Sequence, residues 1–339
     1  MPLNTKGGEA TQRLISYITP GRRVYIGYYP STRKINSLII NPDVLTEKLI
    51  QKKSISNRLV YNEWIGEIDA ELISHINENN YDFIVIDKWI SNNNSNLKVN
   101  FLPLENKHSK KVISIVRFYE MIAHCSPVMH MNNHLHNADK PLLNKPSELF
   151  TFFKRITDIS ITLLTLPVTL PLALLGCIAV KLTSPGPVIF KQKRVGLNGR
   201  IFTLYKIRSM VHNPKGFNNH TVRNDNRITP VGKFLRKTKI DELPQLWNIL
   251  NGDMSLIGPR PEKTDIVEQY SRENLFYKYR HVIKPGLTGW SQVNIPTATP
   301  EDSLEKLEYD LYYINNMSIS LEMKILLKTL EVVSTMKGL

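Results

Sequence analysis

Residues Lys233 to Pro261 read KFLRKTKIDELPQLWNILNGDMSLIGPRP, and how this stretch is interpreted decides the rest of the chain. Two adjacent carboxylates, Asp241 and Glu242, precede the apolar-periodic Leu243, Leu246, Trp247 and Leu250. Pro244 is tolerated only in a first helical turn, where the amide it lacks would be unpaired in any case. The acidic pair is therefore expected at a helix N-terminus, where free N–H groups and the helix dipole favour ionised carboxylates. Arg236, Lys237 and Lys239 lie before it and Arg260 after it. An ionised acid among fixed cations is a candidate nucleophile toward an anionic substrate. Read alone, the pair is more simply a helix cap, with Thr238 opening a capping arrangement over Asp241.

The flanking segments supply further cations. In Gly258-Pro259-Arg260-Pro261 two prolines restrict the backbone around one arginine, so its guanidinium can be held for bidentate phosphate contact. Standing alone, the same four residues are an exposed turn. Upstream, Val188–Val195 and Arg200–Met210 are strand-like and joined through Gly196-Leu197-Asn198-Gly199, where Asn-Gly signals a hairpin. Alternation along the second strand puts Lys206 and Arg208 on one face, either beside the site or on a solvated edge. Lys284-Pro285-Gly286-Leu287-Thr288-Gly289-Trp290 joins a cation and an aromatic in a turn-rich loop. Lys284 and Trp290 suit a nucleotide base or sugar, and suit ordinary packing equally.

Ile159 to Leu182 is the one strongly apolar stretch of membrane length. About twenty apolar residues cross a bilayer as a helix, so length permits a span. Pro167 and Pro171 fall in its middle, each removing a backbone hydrogen bond. Basic residues flank both ends: Lys154 and Arg155 on one side, Lys181, Lys191, Lys193 and Arg194 on the other. The positive-inside rule works by asymmetry, and here both ends favour the same face. The expectation is a re-entrant hairpin over 159–182, with Pro171 at the helix break. A buried helix and a kinked single span are the alternatives.

The chain has 339 residues, enough for two domains, and carries 44 Lys and Arg against 30 Asp and Glu, a formal charge of +14. Such a chain seeks a polyanion, an anionic membrane face or phosphorylated substrates. Helix-turn-helix spacing, zinc-ligand patterns and RNA-stacking motifs are missing, so nucleic acid is not expected as a partner. Cys125 and Cys177 are far apart, implying a reducing compartment. The start, MPLNTKGGEATQR, lacks the apolar core of a signal peptide. Residues 1–145 read as a degenerate α/β (Rossmann-like) accessory domain. Its strands are expected at Arg23–Tyr28, Phe83–Asp87 and Lys111–Val116, and its helices at Asp43–Gln51 and Ile68–Glu78. Alternation of the two points to a parallel sheet. Gly27 stands alone, so dinucleotide binding is unsupported. His130, His134 and His136 lack nearby carboxylate or cysteine partners and read as linker, and Asn137–Ser147 marks the boundary. Residues 146–339 form an α+β, membrane-associated second domain whose last helices, 303–316 and 319–335, are amphipathic.

The segments KRITDIS, SPGPVIFKQKRVG, LYKIRSM, RITPVGKFLRKTKIDELPQLWNILNGDMSLIGPRPE, KPGLTGWSQVN and YDLYYINN, in this order, resemble the bacterial sugar transferases, monotopic phosphoglycosyl transferases acting on polyprenyl phosphate. The match runs from about Lys154 to Thr335. The resemblance implies that Asp241 attacks the β-phosphorus of a UDP-sugar, releasing UMP, and that undecaprenyl phosphate takes the sugar phosphate from the carboxylate. It also implies Mg²⁺ held by Glu242 and Asp241, phosphate binding by Lys206, Arg236 and Arg260, and a place on the cytoplasmic leaflet of the bacterial inner membrane. It leaves open homodimer formation and the role of residues 1–145. The chain departs from the family pattern at Leu170-Pro171, where Ser-Pro is usual, at Ile295-Pro296, where Gly-Arg is common, and at Glu322, where Asp is common. A non-catalytic membrane scaffold is the competing reading.

Overall fold

The computed structural model describes residues 35–40, 42, 47, 59–65, 70–86, 112–128, 146–212 and 225–335. The chain divides into two units, Met1–His130 and Met131–Leu339. The expected strand Arg23–Tyr28, Gly27, the histidines His130, His134 and His136, nearly all of the Asp43–Gln51 helix and most of the polar loop 211–229 lie outside the described residues.

In the first unit, β1 (Ile35–Ile40) pairs with β2 (Leu59–Trp64) on one side and β3 (Phe83–Ile86) on the other. β4 (Val112–Ser114) extends the sheet beyond β3. All three pairings are parallel. Leu38, Ile39 and Ile40 of β1 are fully buried, as a strand covered on both faces requires. α1 (Ala70–Glu78) precedes β3, and α2 (Ile115–Ala123) follows β4 at once. The apolar run Lys111–Val116 therefore turns helical at Ile115. β1 and β2 escaped the sequence reading because Asn36, Ser37, Asn62 and Glu63 interrupt their apolar runs.

The second unit begins with α3 (Glu148–Thr183), whose Ser147 cap accepts from the Phe150 amide at 3.2 Å. α3 starts well before the expected Ile159 and runs as one element with Pro167 and Pro171 inside it, where two separate arms were expected. Its most apolar 18-residue window has a mean hydropathy of 2.3, long and apolar enough to cross a membrane. Leu163, Leu164, Val168, Leu170 and Leu172 are exposed. The Thr165 and Thr169 hydroxyls bond back to the carbonyls of Ile161 and Thr165 at 2.9 and 3.1 Å, so neither is left unpaired on this apolar face.

Both ends of α3 seat on the rest of the unit. Near its start, Arg155 donates to the Ile249 and Leu250 carbonyls at 2.6 and 2.9 Å. Asp158 accepts from the Ser255 hydroxyl at 3.1 Å and the Leu256 amide at 3.0 Å. Near its end, Ala173, Cys177 and Val180 pack with Ile207 and Leu235.

β5 (Ile189–Val195) and β6 (Ile201–Ile207) form the expected antiparallel hairpin, with Asn198 and Gly199 both at positive φ. There follow α4 (Pro230–Lys237), α5 (Gln245–Asn251), β7 (Ser255–Ile257), α6 (Thr264–Glu273), β8 (Gly286–Thr288), α7 (Trp290–Asn294), α8 (Ser303–Asn315) and α9 (Ile319–Ser334). β7 and β8 pair in parallel. Phe202 and Leu204 of β6 form one core with Leu246 and Ile249 of α5 and with Met254. Lys154 reaches Glu322 at 2.6 Å, tying the first helix of this unit to its last.

Candidate active site

α4 ends at Lys237, and the Thr238 hydroxyl donates back to the Phe234 carbonyl at 2.9 Å. Thr238 thus closes the preceding helix instead of opening the next. Lys239 then takes a left-handed φ of 58°, a conformation costing a side-chain-bearing residue roughly 1 kcal/mol. That reversal throws Ile240–Glu242 into a single 3₁₀ turn, which leads through Leu243 and Pro244 into α5. No side chain caps either helical segment, so the simple capping role for Asp241 is not realised. Asp241 is 5% exposed. Its Oδ1 is buried with no hydrogen-bond partner.

Glu242 has the opposite surroundings. Its Oε1 accepts from Lys206 Nζ at 2.5 Å and from Arg260 Nη2 at 2.8 Å. Burial alone would raise this carboxyl, but Arg260 and Lys206 together hold it well below the usual carboxylate range. Asp241 moves the other way. Burial raises it and adjacent Glu242 adds to the rise, while Lys206, Arg236 and Lys239 oppose. Two neighbouring acids are thus driven apart, the pattern that separates roles in a site. Arg236, lowered by burial and countered first by Asp241, donates from Nε to the Ser209 hydroxyl at 2.7 Å.

Each cation has an identifiable mount. Lys206 rides on β6, which Asn248 of α5 grips through the Thr203 carbonyl at 2.8 Å and the Tyr205 amide at 3.3 Å. Arg260 follows β7 and also donates to Gln292 Oε1 at 2.9 Å. Its loop is held because the Gly258 amide donates to the Thr288 carbonyl and the Gly286 amide to the Pro259 carbonyl, both at 2.9 Å. The contact needs bare backbone: a Cβ on Gly289 would lie 2.1 Å from the Gly258 carbonyl oxygen. Behind it, Arg280 donates to the Arg260 carbonyl at 3.3 Å and pairs with Asp310 at 2.7 Å, both side chains 1% exposed. Ser291 holds the other Asp310 oxygen at 2.7 Å. Glu262 lies between Arg194 and Lys306 at 3.6 and 3.3 Å.

The structure therefore gathers Asp241, Glu242, Lys206, Arg236 and Arg260 into one cluster. It does not bring Lys284, Trp290 or Pro171 there. Lys284 stands by the Gly252 turn, with burial and then Arg155 lowering its pKa. Trp290 is 2% exposed, stacked on Tyr312 at 6.2 Å and covered by the Lys324 and Lys328 ammonium groups at 5.3 and 4.9 Å. Its ring faces are occupied by protein. Pro171 lies on the exposed stretch of α3. Arg208, grouped with Lys206 by alternation, instead binds the Ser184 and Pro185 carbonyls at the end of α3, at 2.8 and 2.7 Å. Sequence reasoning missed Asn248, Arg280, Asp310 and Gln292. The available signal was charge at inward positions of α8, where Lys306, Glu308 and Asp310 interleave with Leu307 and Leu311.

Among the described residues no group of three or more His, Cys, Asp and Glu side chains converges as a metal cage. The site offers two carboxylates, one with an orphaned oxygen.

Residues 149–336 match the family model described as bacterial sugar transferase. The chain is 45% identical over 205 residues to the UDP-N-acetylgalactosamine–undecaprenyl-phosphate N-acetylgalactosaminephosphotransferase of Aeromonas hydrophila, covering 60% of this chain and 48% of that protein. It is 43% identical over 195 residues to the UDP-glucose:undecaprenyl-phosphate glucose-1-phosphate transferase of Escherichia coli (strain K12), covering 56% and 42%. It is 39% identical over 186 residues to the uncharacterized sugar transferase EpsL of Bacillus subtilis (strain 168), covering 55% and 89%. The chain spans about half the length, or less, of several curated relatives it matches.

Proposed function

Because the chain belongs to the bacterial sugar transferase family, we propose that it transfers a sugar-1-phosphate from a UDP-sugar to undecaprenyl phosphate through a phosphosugar carried on Asp241. The observation that carries this reading is the buried, unpartnered Oδ1 of Asp241 beside a Glu242 oxygen that gathers Lys206 and Arg260. An Asp241 oxygen attacks the β-phosphorus, the α–β bridging bond breaks, and UMP leaves with the bond electrons. A phosphate oxygen of the polyprenyl acceptor then attacks the same phosphorus and expels the Asp241 carboxylate. Lys206, Arg236 and Arg260 bind and orient the diphosphate and stabilise charge on the transferred group. Two displacements at one centre account for a carboxylate that keeps one buried oxygen without a hydrogen-bond partner.

Two carboxylates without a full cage fit Mg²⁺, which is held by one or two carboxylates together with substrate phosphates. Asp241 and Glu242 are the residues to hold it. When bound, the ion neutralises charge between carboxylate and phosphate oxygens.

The membrane reading is a re-entrant α3 dipping into the cytoplasmic leaflet of the bacterial inner membrane. It is supported by both ends of α3 seating on one body while Leu163 to Leu172 stay exposed. The product would prime a lipid-linked glycan such as an exopolysaccharide, capsule or O-antigen, with residues 1–145 as accessory domain.

The test is UMP release and lipid transfer by the full chain in detergent, with UDP-glucose and UDP-N-acetylgalactosamine as donors. Asp241→Asn is expected to abolish both, and full turnover by that variant would sink the nucleophile.

A further inference from the structure

Gly176 lies near the end of α3, on the face that meets the rest of its unit. Its φ is not among the positive ones, so conformational freedom is not why glycine stands there. In a helix interior glycine is disfavoured relative to alanine. The space around it explains the choice. A Cβ at this position would stand 3.1 Å from Ile207 Cδ1, 3.2 Å from Ile240 Cγ2 and 3.2 Å from Leu235 Cδ2.

Each of those three side chains is the immediate sequence neighbour of a charged residue of the site. Ile207 follows Lys206 on β6, Leu235 precedes Arg236 on α4, and Ile240 precedes Asp241 in the 3₁₀ turn. Three elements thus turn their apolar backs to one spot on the membrane helix, beside Cys177 and Val180. The opposite end of that helix holds the next segment, through Arg155 on the Ile249 and Leu250 carbonyls of α5.

We infer that Gly176 is a positioning residue, whose lack of a side chain lets α3 serve as the common floor that sets Lys206, Arg236 and Asp241 relative to one another. The inference rests on the reading of Asp241 as nucleophile. A methyl group there must push the three side chains apart by tenths of an ångström, and through them the groups they carry.

The experiment uses the full chain in detergent and in nanodiscs, with UDP-glucose or UDP-N-acetylgalactosamine, whichever is turned over. Gly176→Ala is expected to lower kcat about tenfold, since displacements near an ångström cost more. KM for the donor should change by less than kcat falls, since Arg260, which also binds the diphosphate, is mounted elsewhere. The thermal midpoint should hold or rise, because alanine favours the helix. Gly176→Ala/Ile207→Val, which deletes the nearest contacting atom, should recover rate. A purely structural role would instead lower midpoint and folded yield along with activity. An unchanged kcat, a loss tracking the folded fraction, or no recovery in the double variant would each overturn the inference. Asp241→Asn separates the two levels. If that variant is inactive while Gly176→Ala is normal, only this inference falls; if it is active, both fall.

Discussion

At the scale of single residues, Asp241 and Glu242 are adjacent in sequence and opposite in circumstance. The nucleophile must be ionised, and burial raises its pKa. The acidic limb of kcat/KM is therefore expected above the ordinary Asp value, with activity falling as pH drops through it. A pH–rate profile checks this. The same shift has a stability sign. A carboxyl raised on folding favours its protonated form, so its contribution is full at low pH and is lost as pH rises through the folded value. Asp241→Asn should thus be inactive yet melt higher than the parent at neutral pH, with the gap closing in acid; thermal unfolding at both pH values decides it. Glu242 has the reverse sign: its contribution is present above the ordinary Glu value and lost as pH falls through the depressed one. Arg260→Lys keeps the charge but replaces the two guanidinium nitrogens that bond Glu242 and Gln292 by a single one. Loss of a charged hydrogen bond, about 2 kcal/mol, should lower kcat/KM roughly 30-fold. A variant within threefold of the parent would argue that Arg260 does not touch the phosphates. The acidic pair and its cations were legible from sequence because each is a charge of known chemistry near a turn. Whether Asp241 was a cap or a free acid was not legible, since that depended on Lys239 taking a left-handed φ.

At the scale of elements, the Lys284–Trp290 segment is the instructive case. Cation, glycines and aromatic read as a ligand loop, yet the glycines serve backbone packing of β8 and α7 against the Arg260 loop and the tryptophan is enclosed by Tyr312 and two lysines. Composition could not separate these, because the partners lie on α8 and α9, far along the chain. Gly289→Ala would force a Cβ against the Gly258 carbonyl. Overpacking of this kind costs about 1–3 kcal/mol. The expected outcome is a lower thermal midpoint together with weakened donor binding, read as a raised KM. Unchanged midpoint and KM would mean the Arg260 loop is not mounted on this contact. The β5–β6 hairpin, by contrast, was readable because Asn198 and Gly199 carry their own turn signal. β1 and β2 were not, because parallel pairing leaves no mark in local alternation once polar residues interrupt the run.

At the scale of the molecule, the topology of α3 matters most. Cysteines placed at Glu148 and at Thr183 in full-length protein are expected to react with a membrane-impermeant reagent from the cytoplasmic side only. Labelling from opposite sides would establish a span. The apolar length of α3 was plain in the sequence, and its prolines hinted at a bend. Its seating was hidden, since Arg155 and Asp158 find their partners more than ninety positions away. That seating has a mechanical consequence. A helix bolted at both ends to one body cannot shift in response to its surroundings without loading the bolts. In the re-entrant reading proposed above, the lateral pressure of the leaflet around the exposed stretch therefore becomes a dial on the reaction centre, turned by lipid composition with no change to a single amino acid.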